Sequence, residues 1–195
     1  MKNSGRNLKR RLYGLSIWGN RLSRIKHYRG HGVHSPYVYS FVRNVLMHRT
    51  LAEDSDHSLY NTLIDAGVAK RRAVELQKMV QFYNISSFSI DDNACRSELN
   101  ILTGHYSTEQ LDIAWQNSVK CGTTLVILAP YQNRARRQKC SELINLHRST
   151  TVDNRGYLIF FNNHLPKQHY KLRNSIPKVA TKATHPLSVA RGSRR

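Results

Sequence analysis

Apolar and polar residues follow two different periods along this chain, and the change of period divides it into two halves. Within the first 30 residues, leucine and isoleucine recur at helical spacing opposite lysine and arginine, which predicts a basic amphipathic helix broken near Gly14 or Gly19. Its apolar stripe is formed by Leu8, Leu12, Leu15, Leu22 and Ile25, with Trp18 beside it. Three interpretations stay open: the helix packs on its own domain, lies on a membrane surface or lies on RNA.

Two or three more helices are predicted before residue 84. Ser35 followed by Pro36 is typical of a helix start, because serine accepts from free backbone N–H groups and proline fits the first turn. The apolar stripe that follows is formed by Tyr37, Phe41 and Val45, with Val38, Val42 and Leu46 beside it. Residues 56–83 predict one or two further helices with a break near Gly67.

Beyond residue 84, short apolar runs alternate with helical segments. The predicted elements are strands at 85–90, 100–104 and 123–130, helices at 107–119 and 132–147, and a strand pair at 149–153 and 156–163. The run "TTLVILAP" is apolar throughout, as in a parallel strand buried on both faces. The short "NRG" between the last two strands indicates a hairpin. Alternation of strand and helix predicts an α/β sheet with an antiparallel hairpin at its end and helices preceding it.

Charge is distributed unevenly over the 195 residues, whose formal net charge is +19. Residues 1–30 contain nine Lys/Arg and no acid, and residues 165–195 contain eight and no acid. Residues 31–164 contain fourteen basic and twelve acidic residues, so the centre is nearly neutral. We divide the chain into a basic amphipathic helix (1–30), an α/β domain (31–173) and a basic tail predicted to be disordered (174–195).

Basic segments of this kind attract polyanions such as RNA or an anionic membrane surface through long-range, salt-sensitive forces. The alternative is that both segments are solvated and have no dedicated partner. The candidate polyanion-binding residues are Lys9, Arg10, Arg11, Arg21, Arg24, Lys26, Lys167, Lys171 and Arg173. Tyr13, Trp18, Tyr28 and Tyr170 are aromatic residues on which bases could stack.

Cysteine and histidine usage gives little sign of a metal or a disulfide framework. Cys95, Cys121 and Cys140 are scattered and odd in number, which favours reduced thiols in a cytosol. His31 and His34 stand before the predicted helix cap with no third ligand nearby, so we interpret them as structural and predict no metal site. With no apolar run of 18 residues and no secretory h-region, the expected location is cytoplasmic.

Several segments together resemble one family. "RGHGVHSPYVYSFV", "ISSFSIDD", "ILTGHYSTEQLDIAW", "TLVILAPYQNRARRQ" and "STTVDNRGYLIFFNNHLPKQHYKLR" are similar to successive segments of class I S-adenosylmethionine-dependent methyltransferases. The likeness is to a bacterial O-methyltransferase-like branch that opens with a His-Gly-x-His-Ser-Pro-aromatic motif. It covers residues 27–173 and is most specific at that motif and at Lys167, Gln168, His169 and Tyr170. The resemblance implies a Rossmann-like sheet of parallel strands with a C-terminal antiparallel hairpin.

The same comparison shows departures where that family holds its cofactor. No glycine follows the strand at 85–90, although only glycine lets a backbone approach the cofactor closely. Ten residues separate Ile90 from Ile101, too few for a strand–helix unit, so two units of the family sheet are missing. Thr103 precedes Gly104 where the family has Asp-Gly. The next strand ends in Ala129, Pro130 and Tyr131, without the acidic pair that binds a divalent cation.

The resemblance and the departures lead to three functional hypotheses. The first is a reduced methyltransferase-fold pseudoenzyme that has lost its cofactor site and acts in binding or as a scaffold. The second is an active methyltransferase with an unusual S-adenosylmethionine site, for which Asp91, Asp92 and Gly104 are the vestigial positions. The third is a basic RNA-associated protein. Loss of the two units is expected to leave poorly packed strands in the first half of the sheet, and a bare edge strand there could pair in a homodimer.

Overall fold

The computed structural model of the chain describes residues 33–48, 50–53, 56–93 and 96–172. The helix predicted over 1–30 and the tail predicted over 174–195 lie outside the described residues. The same holds for His31, Cys95 and seven candidate polyanion-binding residues, which are Lys9, Arg10, Arg11, Arg21, Arg24, Lys26 and Arg173.

Five α-helices and one π-helical turn lie in the described part of the chain. The helices are α1 (Pro36–Phe41), which continues as a π-helix (Val42–Leu46), α2 (Ser58–Asp65), α3 (Lys70–Tyr83), α4 (Thr108–Cys121) and α5 (Arg134–Leu146). The predicted cap of α1 is confirmed: the Ser35 hydroxyl accepts from the Val38 N–H at 3.4 Å, with Pro36 in the first turn. His34 is exposed just before it. Helix α4 begins with a reciprocal capping box between Ser107 and Gln110.

The strands form one mixed sheet in the order β1-β2-β3-β5-β4-β6. They are β1 (Phe88–Ile90), β2 (Leu99–Leu102), β3 (Thr124–Leu128), β4 (Thr151–Asp153), β5 (Tyr157–Phe160) and β6 (His169–Lys171). β1, β2 and β3 pair in parallel, β5 is antiparallel to both β3 and β4, and β6 is parallel to β4. The predicted α/β class, the three parallel strands and the hairpin are therefore confirmed, and β6 is an additional strand that we did not predict.

Alternate residues of β2, β3 and β5 face two separate hydrophobic cores. Helices α1, α2 and α3 cover one face, where they pack with Ile101, Val126 and Ile159. Helices α4 and α5 cover the other face, where they pack with Ile127 and Phe160. Every residue of β2 is buried, so the expectation of poor packing in the first half of the sheet is wrong for this strand. β2 is not left at the edge of the sheet, because β1 pairs with it directly although the connection between them is short.

The outer strand β1 lies at one edge of the sheet, with all three residues partly exposed. Such an edge is what the homodimer hypothesis requires, and that hypothesis stays a prediction. Within the described residues, no helix combines the length and apolar character needed to cross a bilayer.

Candidate functional site

The strands β1, β2, β3, β4 and β6 share one direction, so their carboxyl ends lie together along one border of the sheet. We call this border the carboxyl edge. In open α/β sheets this is the edge at which ligands bind. Asp91 and Asp92 follow β1, and Gly104 follows β2 by two residues. The structure therefore brings the three predicted vestigial cofactor positions to neighbouring strand ends.

The side chain of Asp91 is engaged within the protein. One carboxylate oxygen accepts from the Thr103 backbone N–H and the other from the Thr103 hydroxyl, each at 2.7 Å. The Asp91 carbonyl accepts from the Tyr106 hydroxyl at 2.6 Å, and its N–H donates to the Ile101 carbonyl at 2.9 Å. Asp91 therefore ties the end of β1 to the end of β2.

Asp92 and Gly104 are also held against other parts of the chain. The Asn100 side-chain amide donates to the Asp92 carbonyl at 2.5 Å. A Cβ atom at Gly104 would lie 3.2 Å from the Gln132 side-chain oxygen, so Gln132 occupies the space beside this glycine. The group that lies close to the Gly104 backbone is therefore the Gln132 side chain.

Arg136 fills the middle of the same edge, although its residue type would place it in solvent. Its side chain is 2% exposed. Its guanidinium donates to the carbonyls of Thr103 and Tyr106 at 2.7 Å, and to that of Leu128 at 3.0 Å. One charged group therefore satisfies carbonyl groups at the ends of both β2 and β3.

The ionisable groups of this edge show the effect of burial. Burial lowers the pKa of Arg136, and the neighbouring Cys140 and Asp91 act in the opposite direction. Burial, with Asp91 and Asp92 nearby, raises the pKa of Tyr106. Burial raises the pKa of the Cys140 thiol to about 12. At neutral pH Arg136 is charged, Tyr106 is a hydrogen-bond donor and Cys140 is an unreactive thiol.

Two turns at the edge use left-handed backbone without glycine. Asp91, after β1, has φ +54°, and Ala129, after β3, has φ +48°. This conformation costs a residue with a Cβ about 1–2 kcal/mol. The turn geometry that glycine favours is therefore present, but a carboxylate side chain and a methyl group stand where a glycine would leave room.

The described residues of this edge do not fit an adenosyl cofactor. Both oxygens of Asp91 accept from Thr103, Gln132 lies against Gly104, and the Arg136 guanidinium occupies the space between β2 and β3. Nor do three or more His, Cys, Asp or Glu side chains gather anywhere in the described ranges in a way that could hold a metal ion.

A buried ion-pair cluster joins α3 to the β4–β5 turn. Glu75 is 2% exposed and accepts from Arg71 at 2.9 Å and from Arg72 at 3.0 Å. The Asn154 side-chain amide donates to the same carboxylate at 3.2 Å. A Cβ atom at Gly156 would lie 2.0 Å from the Arg72 Nε, so any other residue here would require the Arg72 side chain to move.

One cavity lies at the opposite ends of the strands, and another reaches the carboxyl ends of β3, β4 and β6 beside α5. The larger, about 680 Å³, lies at the opposite edge of the sheet and is lined in part by Tyr37, Tyr83 and Phe161. The Tyr37 and Tyr83 rings stack there with centroids 4.7 Å apart. The smaller, about 400 Å³, lies between α5 and the β5–β4–β6 end of the sheet. We call it the α5 cavity, and its polar lining includes Tyr131, Arg137, Ser141, Asp153, His169 and Lys171.

The two candidate polyanion-binding residues that the structure describes have different surroundings. The Lys167 ammonium donates to the Asn145 carbonyl at 2.5 Å, in the last turn of α5. Lys171 lines the α5 cavity with Arg137 and His169. The structure therefore gathers Lys171 with other basic groups, whereas Lys167 is bonded to a helix end.

The cysteine prediction holds for one residue and needs correction for another. Cys140 is a buried free thiol, as expected. Cys121, at the end of α4, is disulfide-bonded, so the expectation of reduced thiols is wrong for it. That expectation was based on wide spacing along the sequence, which does not limit how close two residues come after folding.

Arg136 is the structural residue that sequence reasoning missed. Arg134, Arg136, Arg137 and Lys139 all lie in the first two turns of α5, so residue type alone does not distinguish Arg136 from its neighbours. The burial of Arg136 could have been predicted from its position, because it precedes Cys140 by four residues and Leu143 by seven, and both of these are buried. Those spacings place Arg136 on the apolar stripe of α5, where a charged residue needs buried acceptors.

Comparison with models of protein families, with curated proteins and with solved structures gave no match in any of the three cases.

Proposed function

We propose that this protein is a non-catalytic binding protein built on a reduced methyltransferase-like sheet whose cofactor edge is closed. The observation that carries the proposal is the closure of the β1–β3 strand ends by Asp91, Thr103 and the buried Arg136. A methyltransferase needs an open crevice at that edge to hold S-adenosylmethionine.

The connection from β1 to β2 supports the idea of a reduced sheet. Parallel neighbours are usually joined by a crossover of a dozen or more residues that includes a helix. Here the connection is residues 91–98, eight residues, and none of its described positions is helical. A short link between parallel neighbours is what removal of intervening strand–helix units would leave.

Strand order supports the same relationship. Three parallel strands are followed by an antiparallel hairpin whose second strand inserts beside β3. The resemblance of the sequence segments implies such an end to the sheet. The active-methyltransferase hypothesis shares this support, so it is the state of the strand ends that separates the two.

Calorimetric titration with S-adenosylmethionine and S-adenosylhomocysteine tests the proposal. We expect no heat of binding from the folded protein at concentrations up to about 1 mM. Saturable binding in the micromolar range that Asp91→Asn abolishes would sink the proposal and favour an active enzyme. The matched control is Asp65→Asn, which changes an exposed carboxylate at the end of α2. Equal loss in both variants would show that the binding does not depend on Asp91 in particular, but micromolar binding by the wild-type protein would still contradict the proposal.

Polyanion binding is a second candidate function, favoured by the charge distribution. All twelve acidic residues lie between positions 53 and 153, so the seventeen basic residues in 1–30 and 165–195 have no acidic residue within their own segments. Retention of a single-stranded RNA on a filter at low salt tests this candidate. Absence of retention at low salt would reject it.

A further inference from the structure

The larger cavity lies at the amino ends of the parallel strands, on the border opposite the carboxyl edge. It has a volume of about 680 Å³, and its lining includes Tyr37, Tyr83, Arg96, Glu98 and Phe161. We call it the amino-end cavity. Its volume lies within the range of cavities that hold small molecules. The residues that close the carboxyl edge are not part of its lining, so this cavity is a separate candidate site.

Three aromatic rings form one wall of the amino-end cavity. The Tyr37 and Tyr83 rings stack, and the Phe161 ring contacts both of them edge-on, with centroid distances of 5.2 and 5.8 Å. Tyr37 and Tyr83 are partly exposed, whereas Phe161 is buried in the core. Aromatic rings attract one another in offset-stacked and edge-to-face arrangements. This wall therefore favours a ligand that carries an aromatic ring.

Two opposite charges of the lining lie just before β2. Arg96 is exposed, and its guanidinium forms no hydrogen bond or ion pair with another described residue. Glu98 is also exposed, and its two oxygens accept from the Ser86 hydroxyl at 3.0 Å and from the Ser86 backbone N–H at 2.9 Å. A carboxylate has about four acceptor positions, so each oxygen of Glu98 keeps one for a further donor. The cavity therefore offers both a cation and an anion to a ligand.

The pairing of the strands fixes how far these charges lie from the aromatic wall. Leu99 is level with Thr124, and Leu125 is level with Phe160, so Phe161 lies level with the start of β2. One strand, β3, separates β2 from β5, and neighbouring strands lie about 4.8 Å apart. The backbone at Phe161 is therefore about 10 Å from the backbone at the start of β2. A ligand with a ring at one end and charged groups at the other fits this separation.

We propose that the amino-end cavity binds a free aromatic amino acid in its zwitterionic form. The ring packs against Tyr37 and its aromatic neighbours, Arg96 pairs with the α-carboxylate, and Glu98 accepts from the α-ammonium. A guanidinium matches a carboxylate through two parallel N–H donors. A zwitterion satisfies both charges of the lining, whereas an anion alone would meet Glu98 and a cation alone would meet Arg96. The proposal goes beyond the closed carboxyl edge, and neither depends on the other.

Calorimetric titration of the full-length protein with L-phenylalanine tests the proposal. We expect saturable one-site binding with a dissociation constant below about 1 mM. Three further probes each lack one group: L-alanine lacks the ring, phenethylamine lacks the carboxylate and hydrocinnamate lacks the ammonium. Each of them should bind at least about tenfold more weakly than phenylalanine, because one contact is lost and one charge of the lining stays unmatched.

Charge-neutralising variants assign the two charged contacts. Arg96→Gln should weaken phenylalanine binding about tenfold and leave phenethylamine, which has no carboxylate, no weaker than before. Glu98→Gln should weaken phenylalanine binding by a similar factor and leave hydrocinnamate no weaker. The matched controls are Arg134→Gln and Glu53→Gln, which change exposed charges outside the lining and should not alter binding. Asp91→Asn, at the carboxyl edge, should also leave phenylalanine binding unchanged.

Several results would overturn the proposal. Phenylalanine that does not saturate the protein by about 10 mM would do so, as would alanine binding as tightly as phenylalanine. Tighter binding of hydrocinnamate or of phenethylamine would show that the cavity selects one charge and not a zwitterion. Equal weakening by Arg134→Gln and Arg96→Gln would contradict the assigned contact. Urea denaturation of each variant separates a loss of binding from a loss of folding.

Discussion

Arg136 is buried at the carboxyl ends of the parallel strands, where open α/β sheets usually bind ligands. A buried guanidinium is stable only where acceptors surround it, and here carbonyls from two strand ends and one loop converge on it. The Asp91 carboxylate lies close enough to favour the charged form of Arg136. Asp91 and Arg136 are therefore polar residues whose hydrogen bonds connect the ends of neighbouring strands.

Replacing Arg136 by methionine should lower the free energy of unfolding by about 3 kcal/mol, because three carbonyls lose a charged donor worth roughly 1 kcal/mol each. Urea denaturation followed by circular dichroism measures the effect. Arg134→Met, an exposed change on the same helix, should alter stability by less than about 0.5 kcal/mol. Similar values for the two variants would mean that Arg136 does not hold the strand ends together.

Ala129 offers a test of the left-handed turn after β3. At φ +48° an alanine is strained and a glycine is not, so Ala129→Gly should stabilise the protein by about 0.5 kcal/mol after the entropy cost of glycine is included. The same substitution at Ala135, exposed in α5, should destabilise by about 0.7 kcal/mol. Denaturant midpoints compare the two, and a destabilising Ala129→Gly would contradict the assigned backbone.

His147 should make the stability of the protein depend on pH. Burial lowers its pKa, against the opposing effect of the hydrogen bond between its Nε2 and the Phe161 carbonyl at 3.1 Å, and nearby Lys167 lowers the pKa further. Below about pH 6.5, His147 binds a proton in the unfolded chain, whereas in the folded protein it stays neutral to a lower pH. Stability should therefore fall as pH decreases from about 7 towards the folded pKa, by at most about 1.4 kcal/mol per pH unit.

The measurement is the unfolding midpoint between pH 7 and 5 for wild type and two variants. His147→Gln should flatten the profile, and His105→Gln, an exposed change, should leave it as in wild type. An unchanged profile in His147→Gln would assign the pH dependence to other groups.

At the scale of elements, the contact between α3 and the β4–β5 turn links the helical layer to the sheet. Glu75, two arginines and Asn154 form this contact, and Gly156 makes room for Arg72. Apolar periodicity does not reveal such a contact, because all its members are polar. Its strength depends on steric fit as much as on charge.

Gly156→Ala should destabilise the protein by about 1–2 kcal/mol, because its Cβ would overlap Arg72. In an Arg72→Ala background the same substitution should cost less than about 0.5 kcal/mol, since the obstructing side chain is gone. A double-mutant cycle by urea denaturation gives both values. Equal costs in the two backgrounds would show that Gly156 matters for backbone reasons and not for Arg72.

The elements that the sequence predicted best are those with long or repeated apolar signals. β3 and α5 each carry one, and the hairpin of β4 and β5 is marked by a short turn between two apolar runs. β6 was missed because three residues with one apolar side chain give almost no periodic signal. The predicted strands correctly place Asp91 and Gly104 after two neighbouring strands. The contacts of Arg136 at the same strand ends could not be predicted, because Arg136 is distant in sequence from both.

At the scale of the whole molecule, the centre of the chain and its two strongly basic segments differ in charge. Within residues 31–164, acids and bases nearly balance, and several are used in internal contacts such as Glu75 with Arg71 and Arg72. Residues 1–30 and 165–195 contain no acid at all. Long-range attraction of a polyanion should therefore come from those segments and should weaken steeply with salt.

If those segments bind single-stranded RNA, about six or more phosphate contacts should give a slope near −4 or steeper in a plot of log affinity against log salt concentration. Filter binding between low and physiological salt measures it. Lys171→Gln should change that slope by at most about 0.7, because one lysine forms at most one phosphate contact. Abolition of RNA binding by Lys171→Gln alone would instead place the RNA at the α5 cavity. A slope near zero would show that the basic segments do not carry the interaction.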